Sequence, residues 1–396
     1  MIYLYYLFAA LLVWFSFKSF RGGIAYLRFF SEEMARARSD WEPMVTIVAP
    51  CKGIDQNMLA NFDALLRQDL PDYEVIFVID DPADPAADIV ETVRQGAGHQ
   101  VKLVVAPKAA GSSQKVENLR EGVLHADPRS EVFVFVDSDA RPSPGWLRAL
   151  IAPLRDQTVG AATGYRWFLS ERPTFASELR SAWNASIASA LGPNEKSNFT
   201  WGGSTAIRRD TFERLAIREL WKGTLSDDLA VTRAMRSAGL KIRFVPQALT
   251  ASVESCSFRE LFEFTNRQMK ITRVYMPNLW LLSFFGSGLF CSVMTASFIF
   301  VLSSPASSAR FLVASATLIL VSLFSLGKAR MRLRAASMAL SVHEKLVSRQ
   351  TLPQMTLWLI APFIFLLNCF AALFSRRVNW RGNRYEMVSP SETRLL

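Results

Sequence analysis

Four apolar runs constrain how this chain can fold: Ile2 to Phe17, Leu279 to Leu302, Phe311 to Leu326 and Thr356 to Phe374. Each is near the length that crosses a bilayer. The long segment between the first and second has ordinary soluble composition and must fold outside lipid. Half of the 396 residues are hydrophobic, 29 Phe and 10 Trp among them, which is rich for a soluble protein and agrees with membrane association. The first run lacks a basic n-region and a small-residue cleavage site, so residues 1–22 read as a retained anchor rather than a signal peptide. Lys18, Arg21 and Arg28 follow that run and no charged side chain precedes it. The positive-inside rule then places the soluble segment in the cytoplasm.

Several classes of function fall away early. Cys51, Cys256, Cys291 and Cys369 are far apart and form no CxxC pair, which makes them inert core residues. His99, His125 and His343 are equally scattered, against a zinc site. The formal charge of +10 is not gathered into a nucleic-acid-binding motif and suits a protein lying against an anionic inner leaflet.

Within the soluble segment, "MVTIVAP" (44–50), "YEVIFVID" (73–80), "VKLVVAP" (101–107), "EVFVFVD" (131–137) and "VGAATGY" (159–165) have the composition of buried strands. Helical patterns such as "QNMLANFDALLRQ" and "AADIVETVRQ" fall between them. Strand alternating with helix predicts an α/β fold with a mostly parallel, Rossmann-like sheet covered on both faces. Ligands of such sheets sit at the carboxyl ends of the strands. Pro50 to Gly53, Asp80 and Asp81, the residues after Pro107, and Asp137 to Asp139 all fall there.

The stretch "VFVDSDARPSPGWL" ends a strand in two carboxylates, Asp137 and Asp139, one residue apart. Hard divalent cations such as Mg²⁺ or Mn²⁺ take carboxylate oxygens and keep water and substrate phosphates as further ligands. A D-x-D at a strand end suits a metal that bridges a diphosphate, although an isolated match would more often be a solvated turn.

The match is not isolated. In order, "VTIVAPCKGID", "VIDDPADPA", "GSSQKVENL", "VFVDSDARPSPGWL", "WGGSTAIRRD" and "TLSDDLAVTRAM" resemble the family 2 type of GT-A glycosyltransferases, and among them the ceramide glucosyltransferase branch, which includes bacterial relatives that glycosylate hopanoids and other lipids. The tail "WRGNRY" is similar to that family's W-x-G-x-x-Y ending. The resemblance implies a GT-A catalytic domain over about residues 41–250 of a protein in a bacterial inner membrane. It implies a nucleotide-sugar pocket drawing on Pro50, Lys52, Gly53, Asp81, Lys115 and Asn118, with Asp80 an adjacent alternative to Asp81. Asp137 and Asp139 match the metal-binding pair, and Asp137 also faces the donor. Ser226 reads as a helix N-cap, which puts Asp227 and Asp228 in a first turn where the helix dipole favours negative charge. By resemblance the second of these acids, Asp228, is the general base. The glycines of "TWGGSTAIRRD" let backbone approach a ligand closely ahead of a basic pair.

One signature departs from the family. Its membrane enzymes carry (Q/R)xxRW on an interfacial helix, whereas "RELFEFTNRQMKITRVY" (259–275) offers Arg267, Gln268, Lys270 and Arg273 but no tryptophan. With Arg267 opening the counterpart, Lys270 replaces the arginine and Ile271 the tryptophan. An amphipathic helix over 255–276 is expected, with Phe258, Leu261, Phe262, Thr265, Met269 and Thr272 on one face. Membrane-associated helices over 279–374 and a basic tail over 375–396 follow. Four simple crossings would put Arg376, Arg377, Arg381 and Arg384 outside, against the positive-inside rule. Pro353 and Pro362 make the last run a candidate re-entrant element.

The expected reaction is inverting transfer of one hexose, glucose first among candidates, from a UDP-sugar to a membrane lipid hydroxyl. Ceramide is the leading acceptor, a hopanoid or diacylglycerol an alternative. A processive polysaccharide synthase is a second reading. It is disfavoured because the runs between Leu279 and Leu326 carry no charged residue except Arg310, whereas a glycan channel calls for polar lining. A non-catalytic nucleotide-sugar-binding scaffold is a third.

Overall fold

The structure is a computed structural model that describes residues 2–98 and 100–396. His99 lies outside the described residues. The segment after the N-terminal helix is built on a seven-stranded sheet of β1 (Val45–Pro50), β2 (Tyr73–Ile79), β3 (Gln100–Val105), β4 (Val132–Phe135), β5 (Val159–Leu169), β6 (Thr205–Arg208) and β7 (Lys241–Val253). Their order is β3-β2-β1-β4-β6-β5-β7, with only β6 antiparallel to its neighbours. This is the mostly parallel α/β sheet of the GT-A class. Alternate residues of β2 enter opposite cores: Val75, Phe77 and Ile79 pack on one face, Ile76 and Val78 on the other. A strand covered on both sides is apolar along most of its length, which is why these runs show no polar alternation; the buried Glu74 of β2 is the exception and is paired with Thr46 and Lys102.

The chain turns back beside β1 to make β4, so the carboxyl ends of β1 and β4 meet at the reversal of strand order. Two strands extend past what their sequence shows. β5 runs on to Leu169, and β7, with Pro246 in its middle, carries on beside it. Proline cannot donate to a ladder, and the β5–β7 register shifts at that point, between Thr163/Phe244 and Tyr165/Leu249.

The N-terminal helix, Ile2–Met34, continues well past the expected end of the anchor at residue 22. Its first turns pack on membrane helices, where the Tyr5 hydroxyl meets Ser297 Oγ at 2.8 Å. Its last turns carry Tyr26, Phe29 and Phe30 into the catalytic core beside Phe244. The helix that begins as the anchor thus ends inside the core of the sheet domain. Ile2–Met34, Pro277–Ser303 and Ala309–Ala339 are long and apolar enough to cross a membrane, the layout of an integral membrane protein. Thr351–Leu359 and Ala361–Phe374 form a pair bent by 55°. Both ends of the pair are held against the catalytic side: Gln350 accepts from Trp167 Nε1 at 2.8 Å, and the carbonyl of Ala372 accepts from Arg273 at 2.6 Å.

The expected interfacial helix spans Phe258–Tyr275, opened by a capping box between Ser257 and Glu260. Of the expected apolar face, Leu261, Thr265 and Met269 are buried within the protein, whereas Phe258 is 53% exposed and lies against Phe175 at the rim. The chain then ends in a three-stranded antiparallel sheet, β8 (Arg377–Trp380), β9 (Asn383–Ser389) and β10 (Glu392–Leu395). Arg381 and Gly382 join β8 to β9 with positive φ at both positions, 50° and 80°. That geometry is a two-residue primed hairpin, which favours glycine. It brings Trp380 and Arg381 over the catalytic domain, while Tyr385, fully buried, accepts from the backbone N–H of Gln114 at 3.1 Å.

Candidate active site

A cavity of about 490 Å³ opens at the carboxyl ends of β1 and β4 and is closed on its far side by the helix Phe258–Tyr275 and the tail hairpin. Pro50, Lys52, Lys115, Asn118, Asp137, Asp139, Asp228, Arg267 and Gln268 all line it. Asn118 donates to the carbonyl of Val78 at 3.0 Å, which ties the wall to the end of β2.

Three expected residues lie elsewhere. Asp81 is half exposed and pairs with Lys108 at 3.1 Å, outside the cavity wall. The adjacent Asp80 is buried and pairs with Lys52 at 2.7 Å, so it reaches the cavity through that lysine. Gly53, at φ +65°, receives the Asp84 carboxylate on its N–H at 3.0 Å beside the rim. Lys270 donates to the Arg377 carbonyl at 2.8 Å and lines a separate groove with the tail. The basic pair of "TWGGSTAIRRD" also points away: Arg208 is buried on carbonyls at the opposite end of β6, and Arg209 pairs with Glu213 at 2.8 Å.

The D-x-D acids converge. Arg166 bridges them, with Asp137 at 2.6 Å and Asp139 at 3.0 Å, and Lys115 holds the other oxygen of Asp137 at 2.8 Å. Burial alone would raise Asp137, but Lys115 and Arg166 hold it below the carboxylate range. Asp139 Oδ1 is buried and has no hydrogen-bond partner among the described residues. Among the described residues no group of three or more His, Cys, Asp and Glu side chains is placed to hold a metal. Two carboxylates, one with a vacant buried oxygen, nevertheless fit a hard divalent ion that takes its remaining ligands from phosphate and water.

The second acidic pair opens the helix Asp227–Ser237, whose N-cap Ser226 accepts from the Leu229 N–H. Asp227 turns inward to Lys115 at 3.1 Å. Asp228 faces the cavity: one oxygen accepts from Ser226 Oγ and from the Leu229 N–H at 2.8 Å, the other from the Gly202 N–H at 3.3 Å. The glycines of "TWGG" are therefore steric requirements. A Cβ at Gly202 would strike the Asp227 carboxylate and Lys115, and one at Gly203 would strike the Trp201 ring and Asp137.

Burial pushes Asp227 up to about 6, with Asp228 and Asp137 adding to the rise and Lys115 opposing it. An acid raised on folding contributes stability that is complete below its unfolded value, about 4, and is lost as pH rises through its folded value. Wild type should therefore lose thermal stability relative to Asp227→Asn between about pH 4 and about pH 6, with a constant difference above that. Unfolding of the full chain in detergent across this range checks it; a difference independent of pH would mean that Asp227 does not titrate there.

Sequence reasoning missed several wall residues. Arg166 is a lone charge in an otherwise buried strand, and that anomaly was a usable signal; its guanidinium also lies 4.7 Å from the Trp201 ring. Asp55 and Arg381, an ion pair between the first motif and the tail, left no local signal. Nor did Arg180 with Glu254, paired at 2.8 Å. Trp380 places its ring 5.1 Å from Arg267, which also lies 5.7 Å from Phe264. The tail thus supplies against Arg267 the tryptophan absent from the helix. Burial, with Arg166 and Arg381 nearby, pushes Arg267 down to about 10, so it stays cationic at neutral pH.

The sheet order and the acids at its carboxyl edge define the GT-A class of sugar transferases. The chain belongs to glycosyl transferase family 21, whose description it matches over residues 12–392. An N-acetylglucosaminyltransferase of Rhizobium leguminosarum bv. viciae is 24% identical over 228 residues, 53% of this chain and 51% of that protein, so the chain spans about half the length of this relative. Among solved structures, a mannosyltransferase from Pyrobaculum calidifontis in complex with GDP-Man and Mn²⁺ aligns over 92% of this chain and 99% of its own, with 18% identity and a TM-score of 0.45. Glucosyl-3-phosphoglycerate synthase from Mycobacterium tuberculosis, in complex with phosphoglyceric acid, aligns over 61% of this chain and 86% of its own, with 16% identity and a TM-score of 0.38.

Proposed function

We propose that the chain transfers a single hexose, glucose first among candidates, from a UDP-sugar to the hydroxyl of a membrane lipid, ceramide foremost, with inversion to a β-glycoside. The observation that carries this reading is the make-up of one cavity. Its lining combines the charged groups Asp137, Asp139, Lys115 and Asp228 with the apolar side chains of Trp183, Ile187, Phe264 and Leu279, the last at the start of the membrane helices. A nucleotide diphosphate fits the first set of groups and an alkyl chain the second.

In this reading Lys115 and Arg267 neutralise the diphosphate as it leaves, the lysine as a point charge and the arginine as a planar group braced by Trp380. Asp137 and Asp139 would hold Mg²⁺ or Mn²⁺, which supplies charge stabilisation at the diphosphate. The acceptor oxygen attacks the anomeric carbon while the bond from that carbon to the diphosphate oxygen breaks. The hydroxyl proton passes to Asp228, and UDP departs with the bonding pair. Two backbone N–H groups and the Ser226 hydroxyl hold the Asp228 carboxyl in position before the acceptor arrives.

Membranes containing the protein, given radiolabelled UDP-glucose, should yield an organic-soluble product with one sugar that resists mild alkali, as an amide-linked ceramide glycoside does. An alkali-labile product would transfer the assignment to diacylglycerol. A high-mass glycan would overturn it in favour of a processive synthase, and absence of UDP release would leave the scaffold.

A further inference from the structure

A second cavity, of about 350 Å³, lies between the N-terminal helix and the membrane helices. It is distinct from the catalytic one: Ser186 lines it, whereas Trp183 and Ile187 of the same helix line the other. Its deep end is apolar, with Leu12, Leu282, Phe290 and Phe324. Its shallow end carries Lys328 and Arg332, one helical turn apart on a common face. These belong to the basic stretch that follows the run ending at Leu326, so they sit where lipid headgroups meet the acyl region.

Among the described residues the cations have no acidic partner. Lys328 donates to Ser19 Oγ at 2.8 Å, and Arg332 to Gln354 Oε1 at 3.1 Å and Ser186 Oγ at 3.4 Å, all neutral groups. Arg332 is only 6% exposed, and its Nε is buried with no hydrogen-bond partner among the described residues. Among the described residues no carboxylate faces either side chain; the one ionisable group near Arg332 besides Lys328 is the Tyr26 phenol. Two like charges, desolvated and adjacent, are costly unless an anion joins them. The apolar walls say what kind of anion: one carrying alkyl chains, since a free phosphate would leave those walls to water.

We propose that this cavity binds one anionic phospholipid, its phosphate between Lys328 and Arg332 and an acyl chain along Phe290 and Phe324. Basic pockets between membrane helices at the headgroup level hold anionic lipids by this combination of charge and apolar contact. A ceramide-like acceptor carries no charge and does not answer to these cations, so the site stands apart from the transfer reaction and from the proposal for it.

The test is native mass spectrometry of the full chain in detergent, titrated separately with phosphatidylglycerol, phosphatidylcholine and inorganic phosphate. One phosphatidylglycerol should be retained at least about tenfold more strongly than phosphatidylcholine, and inorganic phosphate should not be retained; a tenfold difference is about 1.4 kcal/mol. Lys328→Gln should weaken phosphatidylglycerol binding about tenfold, while Arg330→Gln, which removes the same charge from an exposed position of the same helix, should leave it unchanged. Equal retention of the two lipids by the wild-type protein overturns the proposal without recourse to any variant. So does equal loss in the Lys328 and Arg330 variants, or retention of inorganic phosphate as strong as that of the lipid.

Discussion

Asp228→Asn should lower turnover by at least about a hundredfold while leaving the affinity for the nucleotide sugar within a few-fold of wild type, the pattern of a lost general base. The substitution keeps the shape of the side chain and one oxygen to receive the Ser226 hydroxyl and the Leu229 N–H, so the start of the helix Asp227–Ser237 should persist. What disappears is the capacity to take a proton, in a group that faces the cavity and makes no ion pair with Lys115. Asp227 is the internal control. It lines the same cavity but is held in an ion pair with Lys115, so Asp227→Asn should weaken donor binding more than turnover. UDP release measured under saturating donor, with donor affinity from calorimetry, separates the two. Near-normal turnover by the Asp228 variant would move the base to Asp227.

The strand ends were legible because both faces of the parallel strands are buried and their runs are unbroken. The positions of Asp137, Asp139 and Asp228 at element boundaries were legible from a physical marker, the end of an apolar run or the first turn after an N-cap serine, whereas the roles expected of them came from the family resemblance. What resisted reading was whatever depends on sequence-distant segments meeting. Asp55 finds Arg381 only because the tail hairpin folds back, and Arg267 finds Trp380 for the same reason. The helix Phe258–Tyr275, read by itself, showed a missing tryptophan; the folded chain shows an aromatic partner arriving from beyond the membrane helices. β7 was hidden by Pro246, which a neighbour tolerates through a shift of register. Asp81 illustrates the opposite error of scale. Two adjacent acids at a strand end look equivalent in sequence, yet successive side chains of an extended chain point opposite ways. Asp80 is buried against Lys52, and Asp81 is left at the surface with Lys108.

Asp139→Asn should abolish transfer to within about a hundredth of wild type and remove the response to added metal, because Asp139 is proposed as a ligand and its geometry leaves little alternative. Its Oδ2 accepts from Arg166 at 3.0 Å, and its Oδ1 is buried without a partner. A buried oxygen left unpaired is costly, by about 1–3 kcal/mol, and in a cavity that also holds Asp137 a shared cation is the natural complement. An asparagine must put its amide nitrogen either toward the Arg166 guanidinium, donor against donor, or into the vacant position, where it cannot ligate. Wild-type protein stripped with chelator should likewise lose activity and recover it with Mg²⁺ or Mn²⁺. A second readout keeps the metal separate from the chemistry. Mn²⁺ bound to the wild-type protein in the presence of UDP, followed by electron paramagnetic resonance, should be lost in Asp139→Asn and retained in Asp228→Asn. Full activity in excess chelator, or undiminished Mn²⁺ binding by the Asp139 variant, would take the D-x-D pair out of metal binding and leave Arg166 as the permanent partner of both acids.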